Sequence, residues 1–200
     1  MSETAEKTAR LIYVVGASGS GKDTLMAYAR EQLAGESGVC FAHRYITRPA
    51  AAGGENHVAL SPEEFAVRQA GRLFAMHWSS HGLQYGIGIE INQWLAKGIH
   101  VVVNGSREYL TEARRLYPEL LPVCIEVSND VLRQRLLNRG REDVHAVEQR
   151  LQRHRALQVS RWNDVMVVRN DGTVQEAGDQ LVRVIVDRCP QIRQESSACA

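Results

Sequence analysis

The residues most suited to chemistry lie near the N-terminus, in the run Gly16-Ala17-Ser18-Gly19-Ser20-Gly21-Lys22-Asp23-Thr24. Its three glycines let a backbone fold closely around a phosphate group, because they carry no Cβ that would clash with it. The N–H groups of such a loop and of the following helix point their positive ends at the anion. Lys22 adds a point charge for the β- and γ-phosphates of a nucleotide. The run therefore predicts a phosphate-binding loop, or P-loop.

One position departs from the usual P-loop pattern, in which Ser or Thr follows the lysine directly. Here Asp23 follows Lys22, and the hydroxyl comes one residue later, at Thr24. Mg²⁺ prefers oxygen ligands and keeps several waters, so Asp23 can bind it directly or through water, with Thr24 as the second candidate ligand. Asp23 is equally well explained as a first-turn acid that the helix dipole favours. The sequence leaves both interpretations open.

The elements that would position this loop are predicted on either side of it. Residues 11–15 form an apolar, β-branched run typical of a buried strand, and helical spacing continues over about 22–33. Further along, strand-like runs alternate with helical patterns, such as the helix that Ser61-Pro62 would start and the one over 129–138. This alternation predicts an α/β fold, with a mostly parallel five-stranded sheet flanked by helices.

Polar residues follow two of the predicted strands. Arg44 and Arg48 come after the strand-like run 39–42 and precede a glycine-containing loop, and Asn104 follows the buried run 99–103. Ligands of open α/β sheets gather at the carboxyl ends of the strands. These residues therefore suggest an anion-binding edge, although a solvated polar loop would explain the first segment as well.

Arginines are concentrated between residues 133 and 161. Arg139-Gly140-Arg141 interrupts two helical patterns there, which is typical of a loop tip. A loop of this kind can close over a transferring phosphoryl group and supply positive charge. We expect Arg139 and Arg150 to belong to such a lid, and Arg155 and Arg161 to a solvated face.

Composition excludes several classes of function. The 24 Lys and Arg residues nearly balance the 23 Asp and Glu residues, and aromatic residues are only 6% of the chain, so no nucleic-acid partner is expected. No apolar run reaches membrane-spanning length. Four widely spaced cysteines fit no metal site and suit a reducing compartment, so we expect a cytoplasmic protein. The sequence leaves a homodimer open.

These motifs resemble those of the nucleoside-monophosphate kinases, and of guanylate kinases most closely, over about residues 11–186. The resemblance covers the P-loop, the acceptor segment Arg44-Tyr45-Ile46-Thr47-Arg48-Pro49, the spacing from Phe74 to Tyr85-Gly86, the lid Leu136–Arg141 with Arg150-Leu151, and the turn Asn170-Asp171. It implies a single P-loop kinase domain over residues 1–190, with an acceptor-binding insertion at about 39–88 and an Arg-rich lid at about 138–150. Residues 191–200 would form a disordered tail.

Three departures distinguish the chain from guanylate kinases. Met76 stands where those enzymes carry the glutamate that reads the guanine edge, His57 matches a phosphate-contacting tyrosine, and Asn104 matches a strand-end aspartate. A site without its hydrogen-bonding groups loses its specificity for the base. These departures, together with the blocks Gly-Lys-Asp, Gly-Gly-Glu-Asn-His and Val-Val-Asn-Gly-Ser-Arg, are similar to the ribose 1,5-bisphosphate phosphokinases of phosphonate breakdown.

The resemblance implies transfer of a phosphoryl group from ATP to ribose 1,5-bisphosphate, giving ADP and 5-phosphoribosyl 1-diphosphate, with Mg²⁺. The implied catalytic residues are Lys22, Arg139 and Arg150. The implied ATP-binding residues are Gly16, Ala17, Ser18, Gly19, Ser20, Gly21, Lys22, Asp23, Thr24 and Asn170. The implied acceptor-binding residues are Arg44, Arg48, His57, Tyr85 and Asn104, and the metal ligands are Asp23 and Thr24.

Three other functions remain as alternatives. The first is a guanylate kinase or another nucleoside-monophosphate kinase, against which Met76 and His57 argue. The second is a non-catalytic guanylate-kinase-like module that binds proteins, which could dispense with Lys22 and Arg139 although both are present. The third is a small-sugar kinase that phosphorylates a hydroxyl, which would need a carboxylate base beside the acceptor.

Overall fold

A computed structural model describes residues 9–52, 55–138, 147–149, 151–152 and 163–188. The predicted tail over 191–200 lies outside these residues. So do Arg139 and Arg150, which the sequence assigns to the lid, and Arg155 and Arg161, which it assigns to a solvated face.

Strands and helices alternate along most of the described residues, as the sequence predicts, but three strands between residues 39 and 59 and two between residues 74 and 88 follow one another without an α-helix. The strands are β1 (Leu11–Gly16), β2 (Val39–Phe41), β3 (Arg44–Ile46), β4 (Val58–Ala59), β5 (Phe74–Ser80), β6 (Leu83–Gly88), β7 (His100–Asn104), β8 (Leu121–Glu126) and β9 (Met166–Arg169). The helices are α1 (Lys22–Gln32), α2 (Pro62–Ala70), α3 (Glu90–Ala96), α4 (Leu110–Leu116), α5 (Asn129–Asn138) and α6 (Val174–Arg188). A 3₁₀ turn covers Ala50–Ala52.

A five-stranded sheet has the order β2-β7-β1-β8-β9. The β2–β7 and β8–β9 pairs are parallel, with Val39 opposite His100 and Val123 opposite Met166. Burial explains the composition of the strands, because the apolar residues of β1 from Leu11 to Val15 are at most 3% exposed. Strands buried on both faces read as continuous apolar runs. The predicted α/β fold, with a parallel five-stranded sheet flanked by helices, is confirmed.

A second, four-stranded sheet has the order β4-β3-β6-β5. The β3–β6 and β5–β6 pairs are antiparallel, and β3 pairs with β4 in parallel. Ile46 and Trp78 both lie directly opposite Tyr85, and Arg44 lies opposite Ile87. Opposite residues share a face of a sheet, so the side chain of Arg44 lies on the same face as that of Tyr85.

The chain has two compact units. The first comprises the described residues within Met1–Ile12, Gly35–Val103 and Val186–Ala200, and it contains the four-stranded sheet. The second comprises those within Tyr13–Ala34 and Asn104–Ile185, and it contains the predicted P-loop. The acceptor-binding insertion expected at about 39–88 falls within the first unit. The domain boundaries implied by the resemblance stay a prediction.

β7 begins with a buried histidine. His100 is 2% exposed, and its Nδ1 accepts a hydrogen bond of 3.0 Å from the backbone N–H of Arg10. Burial lowers the pKa of His100, and the positive charge of Arg10 lowers this pKa further. The imidazole is therefore held in its neutral form, which lets Nδ1 remain an acceptor.

Candidate active site

The predicted P-loop connects β1 to α1, as the sequence requires. Its turn closes through a hydrogen bond of 3.0 Å from the Ser20 N–H to the Ala17 carbonyl. Gly21 caps the N-terminus of α1 with φ of 83°, and Gly19 has φ of 94°. Both values lie in the left-handed region that glycine adopts most readily. The loop therefore has the conformation for which its glycines were singled out.

Gly19 is also limited by its neighbours in the same unit. A Cβ at this position would lie 2.9 Å from Leu132 and 3.1 Å from Leu136, which are both on α5. Ala17 belongs to the same buried cluster as these two leucines. The packing of α5 against the loop explains why a residue with no side chain is needed between Ser18 and Ser20.

Lys22, Asp23 and Asn104 form one polar cluster. The Nζ of Lys22 donates to Oδ1 of Asp23 at 3.1 Å and also to Oδ1 of Asn104. The Nδ2 of Asn104 donates to Oδ1 of Asp23 at 2.9 Å. The Lys22 side chain is 11% exposed, whereas that of Asp23 is 43% exposed. The structure thus places Asn104, predicted to bind the acceptor, directly beside the P-loop lysine.

The turn after β7 fixes Asn104 in this position. The Gly105 N–H donates to the Val14 carbonyl at 2.8 Å, and a Cβ on Gly105 would overlap the ring of Tyr13. The hydroxyl of Tyr13 donates to the Ser106 carbonyl at 3.3 Å and accepts from the Ser106 N–H at 3.0 Å. The small residues after Asn104 therefore let this turn pack tightly on β1.

Asn170 lies beneath the P-loop rather than on an open surface. It is 2% exposed, and its Nδ2 donates to the carbonyl of Ser20 at 2.6 Å. Nη1 of Arg135 reaches the same carbonyl at 3.4 Å. A Cβ on Gly21 would overlap the Asn170 amide. The sequence predicted Asn170 as an ATP-binding residue, and the contact in the structure is to the loop that would hold ATP.

In the first unit, Arg44, Arg48, His57 and Tyr85 form a separate polar cluster. The Arg44 guanidinium lies over the ring of Tyr85, 4.9 Å from its centroid, and Trp78 stacks on Tyr85 with 5.7 Å between ring centroids. Nη2 of Arg48 lies 3.4 Å from Nδ1 of His57. The structure therefore brings together four of the five residues that the sequence assigned to the acceptor. Asn104 belongs to the other unit.

The loop that follows β3 is held back against the segment 43–48 by three consecutive residues. Glu55 pairs with Arg44, since Nη2 of Arg44 lies 2.5 Å from the carboxylate. Nδ2 of Asn56 lies 3.0 Å from Nε2 of His43, and Nε2 of His57 lies 3.1 Å from the Arg48 carbonyl. His57 thus contacts both the backbone and the guanidinium of Arg48.

Sequence reasoning missed the part that Glu55 plays in this cluster. Its side chain is 9% exposed, and Nη2 of Arg48 is 3.9 Å from its carboxylate. The available signal is the block Gly-Gly-Glu-Asn-His, which resembles the phosphokinase family but indicates no role for the glutamate. The Nε of Arg48 is buried without a hydrogen-bond partner among the described residues.

Two negative findings apply to the described residues. They contain no cluster of three or more His, Cys, Asp or Glu side chains that could hold a metal ion. None of their helices is both long enough and apolar enough to span a bilayer.

The P-loop and the five-stranded parallel sheet define the class of protein. The chain has the fold of guanylate kinases: it superposes on a crystal structure of guanylate kinase from Anaplasma phagocytophilum with a TM-score of 0.66, over 91% of this chain and 87% of that chain, at 16% identity. No protein-family model matches the chain.

Closer relatives define the family. The chain is 54% identical to ribose 1,5-bisphosphate phosphokinase PhnN of Thiobacillus denitrificans over 178 residues. This alignment covers 89% of this chain and 93% of the relative. The chain is 46% identical to the protein of the same name from Psychromonas ingrahamii over 183 residues, and this alignment covers 92% of this chain and 93% of the relative. The chain belongs to the ribose 1,5-bisphosphate phosphokinase PhnN family.

Proposed function

We propose that this chain transfers a phosphoryl group from ATP to ribose 1,5-bisphosphate, giving 5-phosphoribosyl 1-diphosphate and ADP, as a cytoplasmic enzyme of phosphonate breakdown. One observation carries the proposal: 54% identity across 89% of the chain to a relative named for this phosphokinase activity. The P-loop geometry and the arginine cluster of the first unit add support, because each suits one of the two anionic substrates.

Residues 16–24 would bind the nucleotide. The backbone of this loop would hold the ATP phosphates, and Lys22 would neutralise charge on the β- and γ-phosphates. In the structure the Lys22 ammonium is already paired with Asp23 and Asn104, so ATP would enter a cluster in which this cation is ordered. Asn170 would act through the Ser20 carbonyl by fixing the shape of the loop.

The oxygen-rich group at the start of α1 fits Mg²⁺. The carboxylate of Asp23 is 43% exposed and already accepts two hydrogen bonds from groups that a cation could displace. Asp23 would hold the ion together with the hydroxyl of Thr24, which is exposed in the first turn of the helix. Mg²⁺, when bound, supplies charge neutralisation on the β- and γ-phosphate oxygens.

The acceptor part falls to the cluster in the first unit. Arg44 and Arg48 would bind the phosphates of the sugar, with Tyr85 beside them and His57 holding Arg48. The attacking group is a phosphate oxygen, and a phosphate monoester with a second pKa near ~6 is already largely dianionic at neutral pH. No general base is then required, and the task is to hold two anions in line. Arg139 and Arg150 would stabilise the transferring group.

Guanylate kinase activity is the second candidate, and the fold supports it. Met76 speaks against it, because its side chain is 1% exposed on β5 and presents no acceptor to a guanine edge. An inert binding module is the third candidate, and the ordered P-loop with its lysine speaks against that function.

The deciding experiment measures ADP release from ATP and Mg²⁺ with ribose 1,5-bisphosphate and GMP offered in parallel reactions. We expect turnover of the sugar bisphosphate and none of GMP. Turnover of GMP alone would establish a guanylate kinase instead. Activity with neither acceptor, together with no ATP-dependent rise in melting temperature, would favour the inert module.

A further inference from the structure

Glu55 is a carboxylate inside a group of cations, and the reaction as described above gives it no part. Both of its carboxylate oxygens lie 2.9 Å from Nε of Arg44, and one of them lies 2.5 Å from Nη2. The side chains of Arg44 and Glu55 are only 12% and 9% exposed. The two groups therefore form a nearly buried, bidentate ion pair.

Charge alone does not explain this carboxylate. Arg44 and Arg48 carry two positive charges, and Glu55 cancels one of them in a cluster that is to bind a polyanionic sugar. A buried ion pair also gives little net stability compared with apolar side chains of the same volume. A bidentate arginine–carboxylate pair does provide a fixed geometry, because two parallel hydrogen bonds leave the guanidinium little freedom to turn.

The contacts define which edge of the guanidinium is held. Glu55 engages Nε and Nη2 of Arg44, and the ring of Tyr85 lies under its face at 4.9 Å. Arginine has five N–H donors. Holding the Nε edge and one face directs the outer fork, formed by Nη1 and the second hydrogen of Nη2, away from Glu55. This fork has the planar, two-pronged geometry that suits phosphate oxygens.

We propose that Glu55 is a positioning residue for the acceptor: it holds Arg44 so that the outer fork of its guanidinium binds a phosphate group of the sugar bisphosphate. The proposal rests on the proposed function and adds a residue to its acceptor site. It also gives a reason for the loop to fold back on the segment 43–48, since Glu55 reaches Arg44 from that loop.

The test compares Glu55→Gln with Glu64→Gln in steady-state kinetics. The control breaks an exposed pair in the same unit, in which Nη2 of Arg68 lies 2.6 Å from the Glu64 carboxylate. We expect Glu55→Gln to raise the KM for ribose 1,5-bisphosphate about ten- to a hundredfold, because one oriented, charged hydrogen bond to the substrate is lost. The KM for ATP should change less than twofold. The control should change neither value.

The sign of the effect separates positioning from simple electrostatics. Removing a carboxylate from a cationic cluster should lower the KM for an anionic acceptor if charge alone matters. A lower or unchanged acceptor KM in Glu55→Gln would therefore overturn the proposal. So would an equal rise in the KM values for ATP and acceptor, which would indicate general disruption of the fold.

Two further variants keep the test decisive. Glu55→Asp retains the charge but is shorter, so it should fold and still raise the acceptor KM; wild-type kinetics in this variant would also overturn the proposal. In an Arg44→Gln background, Glu55→Gln should have no additional effect, because Glu55 acts through Arg44. If the wild type does not turn over ribose 1,5-bisphosphate, the proposed function fails first. If it does and only the Glu55 effects are missing, this inference alone fails.

Discussion

Truncation of Asn170 would separate two accounts of the turn after β9. The resemblance to nucleotide kinases implies that Asn170 contacts ATP, whereas the structure has its amide donating to the Ser20 carbonyl at 2.6 Å, with 2% of the residue exposed. In the first account, Asn170→Ala weakens ATP binding and leaves the free protein as stable as before. In the second, it destabilises the free protein, because the P-loop loses its support.

The structure sets the size of the expected effect. A buried carbonyl that loses its donor costs about 1–3 kcal/mol. Two features reduce this cost: Nη1 of Arg135 stays 3.4 Å from the Ser20 carbonyl, and Oδ1 of Asn170 is itself buried without a partner among the described residues. We therefore expect Asn170→Ala to lower the free energy of unfolding by about 1–2 kcal/mol, which is roughly 2–8 °C in melting temperature for a chain of this length.

The assay is urea unfolding of the nucleotide-free protein, followed by melting curves with increasing ATP and Mg²⁺. Asp171→Asn is the matched control, because its side-chain oxygen can still accept the hydrogen bond of 2.7 Å from the Ser128 N–H in the same turn. The reasoning would be refuted if Asn170→Ala unfolded within about 0.5 kcal/mol of this control, the ordinary range of neutral surface changes. A loss of ATP-induced stabilisation without a loss of stability would instead support direct contact with the nucleotide.

Three further predictions follow from the described contacts. In urea unfolding, Gly19→Ala should destabilise the protein by about 1–3 kcal/mol more than Gly35→Ala. Both residues have positive φ, but only Gly19 has leucine side chains within 3.1 Å of a Cβ position. Equal losses of stability would mean that backbone strain alone matters. Burial lowers the pKa of His100 in the folded protein, so the unfolded chain binds a proton more readily at this residue. The stability that neutral His100 contributes is therefore fully present above about pH 6.5 and is lost as the pH falls toward the lowered pKa. Melting curves from pH 5 to 8 should depend less on pH in His100→Asn than in the wild type. Asp23→Asn should raise the Mg²⁺ concentration needed for half-maximal turnover, whereas Asp130→Asn, which removes an acid from the first turn of α5, should not; the same shift in both would point to the helix dipole.

The sequence predicted local structure well and long-range contacts poorly. The P-loop with its flanking strand and helix, and the helix Asn129–Asn138, follow from patterns a few residues long, and both were predicted correctly. The contacts from Lys22 to Asn104 and from Asn170 to Ser20 join residues that lie 82 and 150 positions apart. Such contacts depend on which strands become neighbours and on how closely their end turns pack, and no local pattern encodes this.

Glu55 shows a different limit, because it is only eleven positions from its partner Arg44. The sequence context of Glu55, an acidic residue in a loop next to glycines, is typical of a solvated side chain. In addition, acidic residues are not expected in a site that binds anions. The ion pair becomes visible only when the loop is seen to fold back on β3, where Asn56 and His57 make neighbouring contacts. The block Gly-Gly-Glu-Asn-His is therefore recognisable from the sequence, whereas the contact that its glutamate makes is visible only in the structure.

The carboxylates of Asp23 and Glu55, which are two of those that pair with cations in the described residues, differ in a way that suits them to different roles. Asp23 holds Lys22 at 3.1 Å and is 43% exposed, so it can exchange its partner for a metal ion or water at little desolvation cost. Glu55 holds Arg44 through Nε and Nη2 and is 9% exposed, so its departure would leave a nearly buried guanidinium without its counter-ion, which is strongly unfavourable. Asp23 is thus suited to change partners as substrates bind and leave, whereas Glu55 is suited to keep one arginine in place throughout. On the proposed function, the same residue chemistry would serve a metal site at Asp23 and an acceptor site at Glu55, because burial, rather than charge, decides which contacts are exchangeable.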